Sequence, residues 1–226
     1  MPFLIFWSNS AGMSPSLSNR SYGEMMKRET ARKILQARDN KDLYRHARGV
    51  ERTAFLLAEK YGVDREKASL AGLLHDYGKP YAAEELMQIA RQRRIPLDAL
   101  TLREPALLHA PVGAWMLKHD LGLRDREILE AVRCHTTGNP KMSKLSRIVY
   151  LADAIEPGRC FAGVQHIREL AFLHGQLEMA LLLVVDLTIQ NVLKKGRLLH
   201  SASLALRNSL VLSRRRKALE ESHEKR

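Results

Sequence analysis

Six residues stand out by type and setting: His46, His75, Asp76, His109, His135 and Asp153. Each lies on or beside an apolar stretch. A single histidine on such a face is more often a hydrogen-bonded core residue than a ligand. Asp153, in "YLADAIEP", is harder to place that way, because a buried carboxylate without a partner is costly. It calls for a cation, whether Arg, Lys or a metal. Together the six carry more weight than any one. Imidazoles and carboxylates without thiolate suit iron, manganese or zinc better than soft metals. Six donors are too many for one catalytic ion that must keep an open position. They suit two ions that share a bridging carboxylate.

These residues need rigid elements to hold them, and the apolar spacing is helical almost throughout, from Glu24 to about Leu212. In "LYRHARGVERTAFLLAEKYG", Val50, Ala54, Leu57 and Ala58 form one stripe, with His46 one turn earlier and Gly62 at the end. "DREKASLAGLLHDYGKP" opens on Asp64, a good N-cap, and is expected to stop at Gly78 and Pro80. Ala68, Ala71, Gly72 and His75 share a face of small residues, so another helix can approach closely there. "DREILEAVRCHTTG" starts at Asp125 and turns Ile128, Leu129 and Val132 inward, ending near Gly138. "SKLSRIVYLADAIEP" runs to Pro157 with Asp153 in its last turns. Further helices are expected over 83–95, 111–120, 164–173 and 176–195. Helical bundles build metal sites in this way, each helix giving one or two inward ligands.

The ends of the chain read differently. Residues 1–24 are rich in Ser, with Asn, Gly and Pro, and read as a flexible arm; Met25 is an alternative start of translation. Residues 25–212 form the domain. Residues 213–226, "SRRRKALEESHEKR" from Ser213, read as a charged tail, frayed or an exposed helix. The 226 residues suffice for one domain with a sizeable core. A net charge of +12 points to an anionic partner, namely nucleic acid, a phosphorylated metabolite or an acidic lipid surface, and does not choose among them. The two cysteines, Cys134 and Cys160, have no zinc-type spacing, and each reads as a small buried hydrophobe. The longest apolar run, "MALLLVV", is too short to span a membrane. "MPFLIFW" lacks the preceding positive charge of a secretory signal. These readings place the protein in the cytoplasm.

The segments that carry the six residues resemble a known family. His46, the pair His75–Asp76 and Asp153 match the signature of the HD superfamily of metal-dependent phosphohydrolases. "AGLLHDYGKP", "LLHAPVGAWMLKHDLGL" and "HTTG" followed by "YLADAIEPGR" are similar to the YqeK-type symmetrical diadenosine tetraphosphatases. The resemblance covers residues 40–172 strongly and extends more loosely to about 210. It implies an all-α HD-domain bundle with a dimetal site in its core. It implies that His46, His75, Asp76 and Asp153 hold one metal, and that Asp76 bridges to a second completed by His109 and His135. It implies a pair of iron ions, with manganese as the alternative. The implied substrate is a dinucleoside polyphosphate, cut at its central anhydride.

Residues near the six are candidates for phosphate contact. Lys79 lies about one turn beyond His75; its plain reading is a lysine at a helix C-terminus, complementing the dipole. Beside a dimetal site it is read as catalytic, as is Asp76, and in addition as phosphate-binding. Thr136, Thr137 and Gly138 are either an ordinary C-cap turn or a set of hydroxyl and amide groups turned towards phosphate. Arg159 suits a bidentate contact to a second phosphate. Arg207 and Asn208 fit a solvated helix face equally well. His119, His166, His174, His200 and His223 have no place in the constellation.

The sequence holds no Walker loop, no HxHxH run and no Nudix-type REx₂EE pattern, which sets aside three other phosphate-handling classes. Two rivals stay open. One is an HD phosphohydrolase acting on a cyclic dinucleotide, an alarmone or a mononucleotide. The other is an RNA- or ribosome-binding protein with a vestigial metal site, suggested by the charge and by "RRRK" at 214–217. Nucleic acid is not required by the first two readings, and a dimer is compatible with all three.

Overall fold

The computed structural model describes residues 27–224. The expectations for residues 1–24 and for Met25 fall outside them. Among the described residues there are eleven α-helices and no strand. In chain order the helices are α1 (Arg28–Gln36), α2 (Lys41–Tyr61), α3 (Arg65–Leu74), α4 (Ala83–Gln92), α5 (Ala99–Arg103) and α6 (His109–His119). The second half adds α7 (Arg126–Cys134), α8 (Lys144–Ile155), α9 (Val164–Phe172), α10 (Leu177–Lys194) and α11 (Ser201–Glu224).

The expected start and stop signals act as physical caps. Asp64 accepts hydrogen bonds from the amides of Glu66 and Lys67, and Asp125 from those of Glu127 and Ile128. Each thereby satisfies donors that the first helical turn cannot pair internally. Gly62 closes α2 in the left-handed conformation, φ 64°, with its N–H on the Ala58 carbonyl.

Several boundaries differ from the sequence reading, among them the end of α7, expected near Gly138 and found at Cys134. The helix expected to reach Gly78 ends at Leu74, and residues 75–80 form consecutive tight turns, with the Tyr77 amide on the Leu74 carbonyl and the Lys79 amide on the Asp76 carbonyl. The stretch expected over 83–95 stops at Gln92, because Arg94 turns to φ 51° and the Ile95 amide returns to the Ala90 carbonyl. The helix expected from residue 111 begins two residues earlier, at His109. Pro111 sits in its first turn, where no intrahelical amide bond is lost.

The core is built around α2, α3, α7 and α8, which pack on one another, with α6 on α7 and α10 on α8. The small-residue face of α3 meets α2 as expected. A Cβ on Gly72 would lie 3.0 Å from the Val50 carbonyl oxygen and 3.2 Å from the Ala54 Cβ. Val50, Ala54, Leu57 and Ala58 are fully buried. An inward charge joins α1 to this unit. Glu51, 3% exposed, accepts from Arg32 and Arg48. The turn after α3 is held from outside by Arg38, whose guanidinium donates to the Tyr77 carbonyl at 2.6 Å and stacks 3.8 Å above the Tyr77 ring.

The last helix, α11, runs without a break past residue 212, where the sequence reading ends the domain and starts the tail at Ser213. Its buried residues among those described are Ser203, Leu206 and Leu210, and it is exposed over residues 214–220. No helix among the described residues is long and apolar enough to cross a membrane.

Candidate metal centre

The six candidate residues converge from five places in the chain. His46 projects from the second turn of α2; His75 and Asp76 lie at the end of α3; His109 opens α6; His135 caps α7; Asp153 lies in the last turn of α8. The His46 Nε2 is 3.2 Å from the His75 Nε2 and 3.1 Å from the Asp153 Oδ1. The His109 Nε2 is 3.1 Å from the His135 Nε2. Asp76 lies between the two groups. Its Oδ2 is 3.3 Å from His75 Nε2 and 3.8 Å from His46 Nε2, while its Oδ1 is 3.3 Å from His109 Nε2 and 3.4 Å from His135 Nε2.

The Nδ1 atoms fix which ring nitrogen faces inward. His75 donates its Nδ1–H to the Gly72 carbonyl, His109 to Ala106 and His135 to Val132, each at 2.7 Å. A carbonyl only accepts, so each of these rings carries its proton on Nδ1 and offers the Nε2 lone pair. The His46 Nδ1 is 3.1 Å from the Glu156 carboxylate, and an Arg159 Nη2 donor faces its Nε2 at 3.4 Å. Four imidazole lone pairs and two carboxylates therefore point at one another across about 3 Å. Two neighbouring ligands take that spacing when each stands about 2.1 Å from one ion.

Two further observations fit metal ions. The Asp76 Oδ1 is buried and has no hydrogen-bond partner, although Asp76 is only 4% exposed. A buried acceptor of that kind is costly unless something positive meets it. The donors also form two close sets, His46 with His75 and Asp153, and His75 with Asp76 and His135, all within 4.8 Å in each set. The chemistry of the donors and the orphaned carboxylate oxygen both fit a pair of hard or borderline cations.

The electrostatics say the same. Burial alone would raise the Asp76 carboxyl, but the imidazole of His75 and those of His109 and His135 outweigh it and hold the group far below the usual range. Asp153 behaves likewise, with His46 as the largest opposing influence. At His75, burial acts downward; Asp76 and Asp153 outweigh it and raise the imidazole to about 9. The cluster demands positive charge, taken up as a proton or as a metal.

Lys79 and Arg159 sit at the edge of this cluster. The Lys79 Nζ is 2.8 Å from the Asp76 Oδ2 with its side chain 51% exposed. Arg159 places Nη2 at 2.5 Å from the Asp153 Oδ1 and donates from Nε to the Asp153 carbonyl. Both are paired with site carboxylates, and Lys79 is more than a helix-end cation. At 136–138 the turn is the ordinary C-cap: the Gly138 amide donates to the Cys134 carbonyl, and a Cβ there would strike Leu206 of α11. The Thr137 hydroxyl donates to the Gly138 carbonyl. Arg207 is tied to Asp186 at 2.6 Å. His119 stacks on Trp115, and His200 pairs with Asp98. Cys134 is buried as expected, but Cys160 is exposed, because it follows the helix-ending turn at Gly158.

The sequence reading missed Glu156. It is 5% exposed, accepts from His46 and takes the Gly158 amide at 2.6 Å. A signal was present: Gly49, a glycine inside a helix, one turn after His46 and on its face.

An HD domain model matches residues 43–158. A protein of Bacillus subtilis named symmetrical bis(5'-nucleosyl)-tetraphosphatase is 39% identical over 76% of this chain and 91% of its own. One of the same name from Halalkalibacterium halodurans is 37% identical over 84% of this chain and 100% of its own. A solved structure from Clostridium acetobutylicum, described as a predicted HD superfamily hydrolase involved in NAD metabolism, superposes with a TM-score of 0.79 at 37% identity, covering 84% of this chain and all of that one. The match spans every helix that brings a candidate ligand to the centre, and the chain belongs to the HD-domain family, grouping within it with the relatives named symmetrical bis(5'-nucleosyl)-tetraphosphatase.

Proposed function

We propose that the protein is a metal-dependent hydrolase that splits diadenosine tetraphosphate at its central anhydride into two ADP. The observation that carries this reading is the Asp76 carboxylate, one oxygen turned to each group of imidazoles, with Oδ1 buried and unpaired. The names of the relatives supply the substrate.

His46, His75, Asp76 and Asp153 would hold one ion, and Asp76, His109 and His135 the other. The pair, when bound, supplies Lewis-acid activation of water and of the phosphoryl group under attack. We assign iron, with manganese as the alternative. The chain's own part is to hold and neutralise. The Nδ1–H bonds of the histidines fix the rings. Lys79 and Arg159, half-exposed at the edge of the cluster, meet the negative polyphosphate and steady the departing ADP. Thr136 offers a hydroxyl next to His135, and Thr137 would offer its own by turning it away from the Gly138 carbonyl; Gly138 contributes through the shape of the turn, since its amide is already engaged. A metal clamp at one inner phosphate needs no base-specific contact, so other dinucleoside polyphosphates would also be cut. We take residues 25–212 as the working domain, and a reducing compartment such as the cytoplasm for a chain with an exposed, unpaired Cys160.

The test is chromatography of the first products in heavy-oxygen water with ferrous or manganous ion. ADP alone, with label on one ADP of each pair, is expected. ATP and AMP as first products would overturn the symmetrical cut. The Clostridium acetobutylicum neighbour, with its stated link to NAD metabolism, favours a second reading, hydrolysis of a mononucleotide. A substrate panel including mononucleotides and guanosine tetraphosphate separates the two.

A further inference from the structure

Three of the four histidines of the centre orient themselves, and one does not. His75 and His135 are the C-caps of α3 and α7, and His109 follows a short 3₁₀ turn. At such places a carbonyl three residues back is left without an intrahelical amide, and the ring's Nδ1–H takes it. His46 lies well inside α2, where each carbonyl already accepts from the amide four residues on. Its Nδ1 needs an acceptor from elsewhere.

Glu156 supplies it, from the far side of the domain in sequence. Its Oε1 is 3.1 Å from the His46 Nδ1 and its Oε2 accepts the Gly158 amide at 2.6 Å. The short segment that carries it is locked by Arg168 of α9, which donates to the carbonyls of Ile155, Glu156 and Arg159 at 2.8–3.0 Å. The carboxylate lies against α2 where a side chain is missing: a Cβ on Gly49 would collide with the Glu156 Oε2. Glycine inside a helix is destabilising relative to alanine, so its presence one turn after His46 needs a reason. The carboxylate is that reason.

We propose that Glu156 is a positioning residue for His46, fixing the orientation and tautomer of its ring as a metal ligand, and that Gly49 is the notch that admits it. This rests on the reading of the cluster as a metal centre. Carboxylates behind a metal-binding imidazole set the tautomer and the orientation, and their loss typically costs about 10–100-fold in metal affinity. The charge of Glu156 would act on one of the two metal positions only, the one that His46 serves.

The experiment titrates manganous ion into metal-stripped full-length protein, followed by electron paramagnetic resonance, for wild type, Glu156→Gln, Glu156→Ala, Gly49→Ala and the double variant Gly49→Ala with Glu156→Ala. Thermal melting without metal is recorded beside it. Glu156→Ala should weaken one of two positions by about 10–100-fold. Glu156→Gln, which keeps an acceptor and loses the charge, should fall between Ala and wild type. Gly49→Ala should weaken the same position although it removes no polar group. The double variant should be no weaker than the worse single, because alanine at 49 has no carboxylate left to displace. Nitrogen-15 shifts of the His46 ring should show Nδ1 protonated in wild type and a tautomer mixture in Glu156→Ala. Unchanged affinities in all variants would overturn the proposal. So would losses from Gly49→Ala and Glu156→Ala that simply add, or affinity losses that follow melting temperature rather than the ring tautomer. Two ions bound by wild type with no effect of Glu156 sinks this inference and leaves the metal centre standing; no ion bound by wild type sinks both.

Discussion

The two sides of Asp76 are built differently. On the His46 side lie a second carboxylate, Asp153, two cations, Lys79 and Arg159, and the supporting Glu156. On the His109 side lie two imidazoles fixed by backbone carbonyls, and an Asp76 oxygen with no hydrogen bond. His75 and His135 are equally buried, yet their imidazoles shift in opposite directions. At His75 the carboxylates outweigh burial and raise it to about 9; at His135 burial wins and pushes it down. Charge, not burial, separates the two positions. On the proposed ligand division, the His46 side would hold its ion with four protein donors and the His109 side with three, which would leave more room there for oxygens of water or substrate.

The two sides share one residue, Asp76. Asp76→Ala should remove both ions and lower turnover by at least about 10³-fold, since it takes away the bridge and the charge-stabilising pair together. Metal analysis and turnover check this; a variant with two ions and full rate would end the assignment. Next come the two sides separately. Asp153→Ala should empty the His46 side, whereas His109→Ala should spare it and lose the other ion, with a rate loss of about 10²–10³-fold in each case. Equal loss of both ions in both variants would mean the centre is one cooperative unit.

A smaller effect is expected at the cations. Lys79→Met should keep both ions and slow turnover by about 10–100-fold, because it removes phosphate neutralisation and not a ligand. Unchanged kinetics in a metal-loaded variant would limit Lys79 to pairing with Asp76. The smallest effect is expected from backbone packing. A Cβ on Gly113 of α6 would lie 2.9 Å from the Gly78 amide nitrogen, which seats α6, and so His109, against the turn that follows Asp76. Gly113→Ala should cost about 1–3 kcal/mol of stability by overpacking and weaken the His109-side ion only. Denaturant unfolding and the metal titration together check it.

Much of this was legible from residue order. Asp64 and Asp125 announced their helices because a capping carboxylate acts within three residues. Gly72 announced a close helix contact because absence of a side chain has one main use on a buried face. The turn at 75–80 was placed a few residues late, since the apolar run continues through Leu73 and Leu74 and gives no sign that Asp76 has left the helix. Glu156 was overlooked because a glutamate before Pro157 and Gly158 looks like any helix-ending residue.

Residue types and local spacing determined the all-α class, the caps and the set of six ligand candidates, since each depends on neighbours a turn or less away in the chain. The tertiary structure decided which oxygen of Asp76 faces which imidazoles, that Lys79 and Arg159 sit on carboxylates, and that a glutamate 110 residues from His46 holds its ring. Those facts depend on how α2, α3, α6, α7 and α8 cross and how closely they approach, and helical periodicity states which face is buried but not what will be found opposite it.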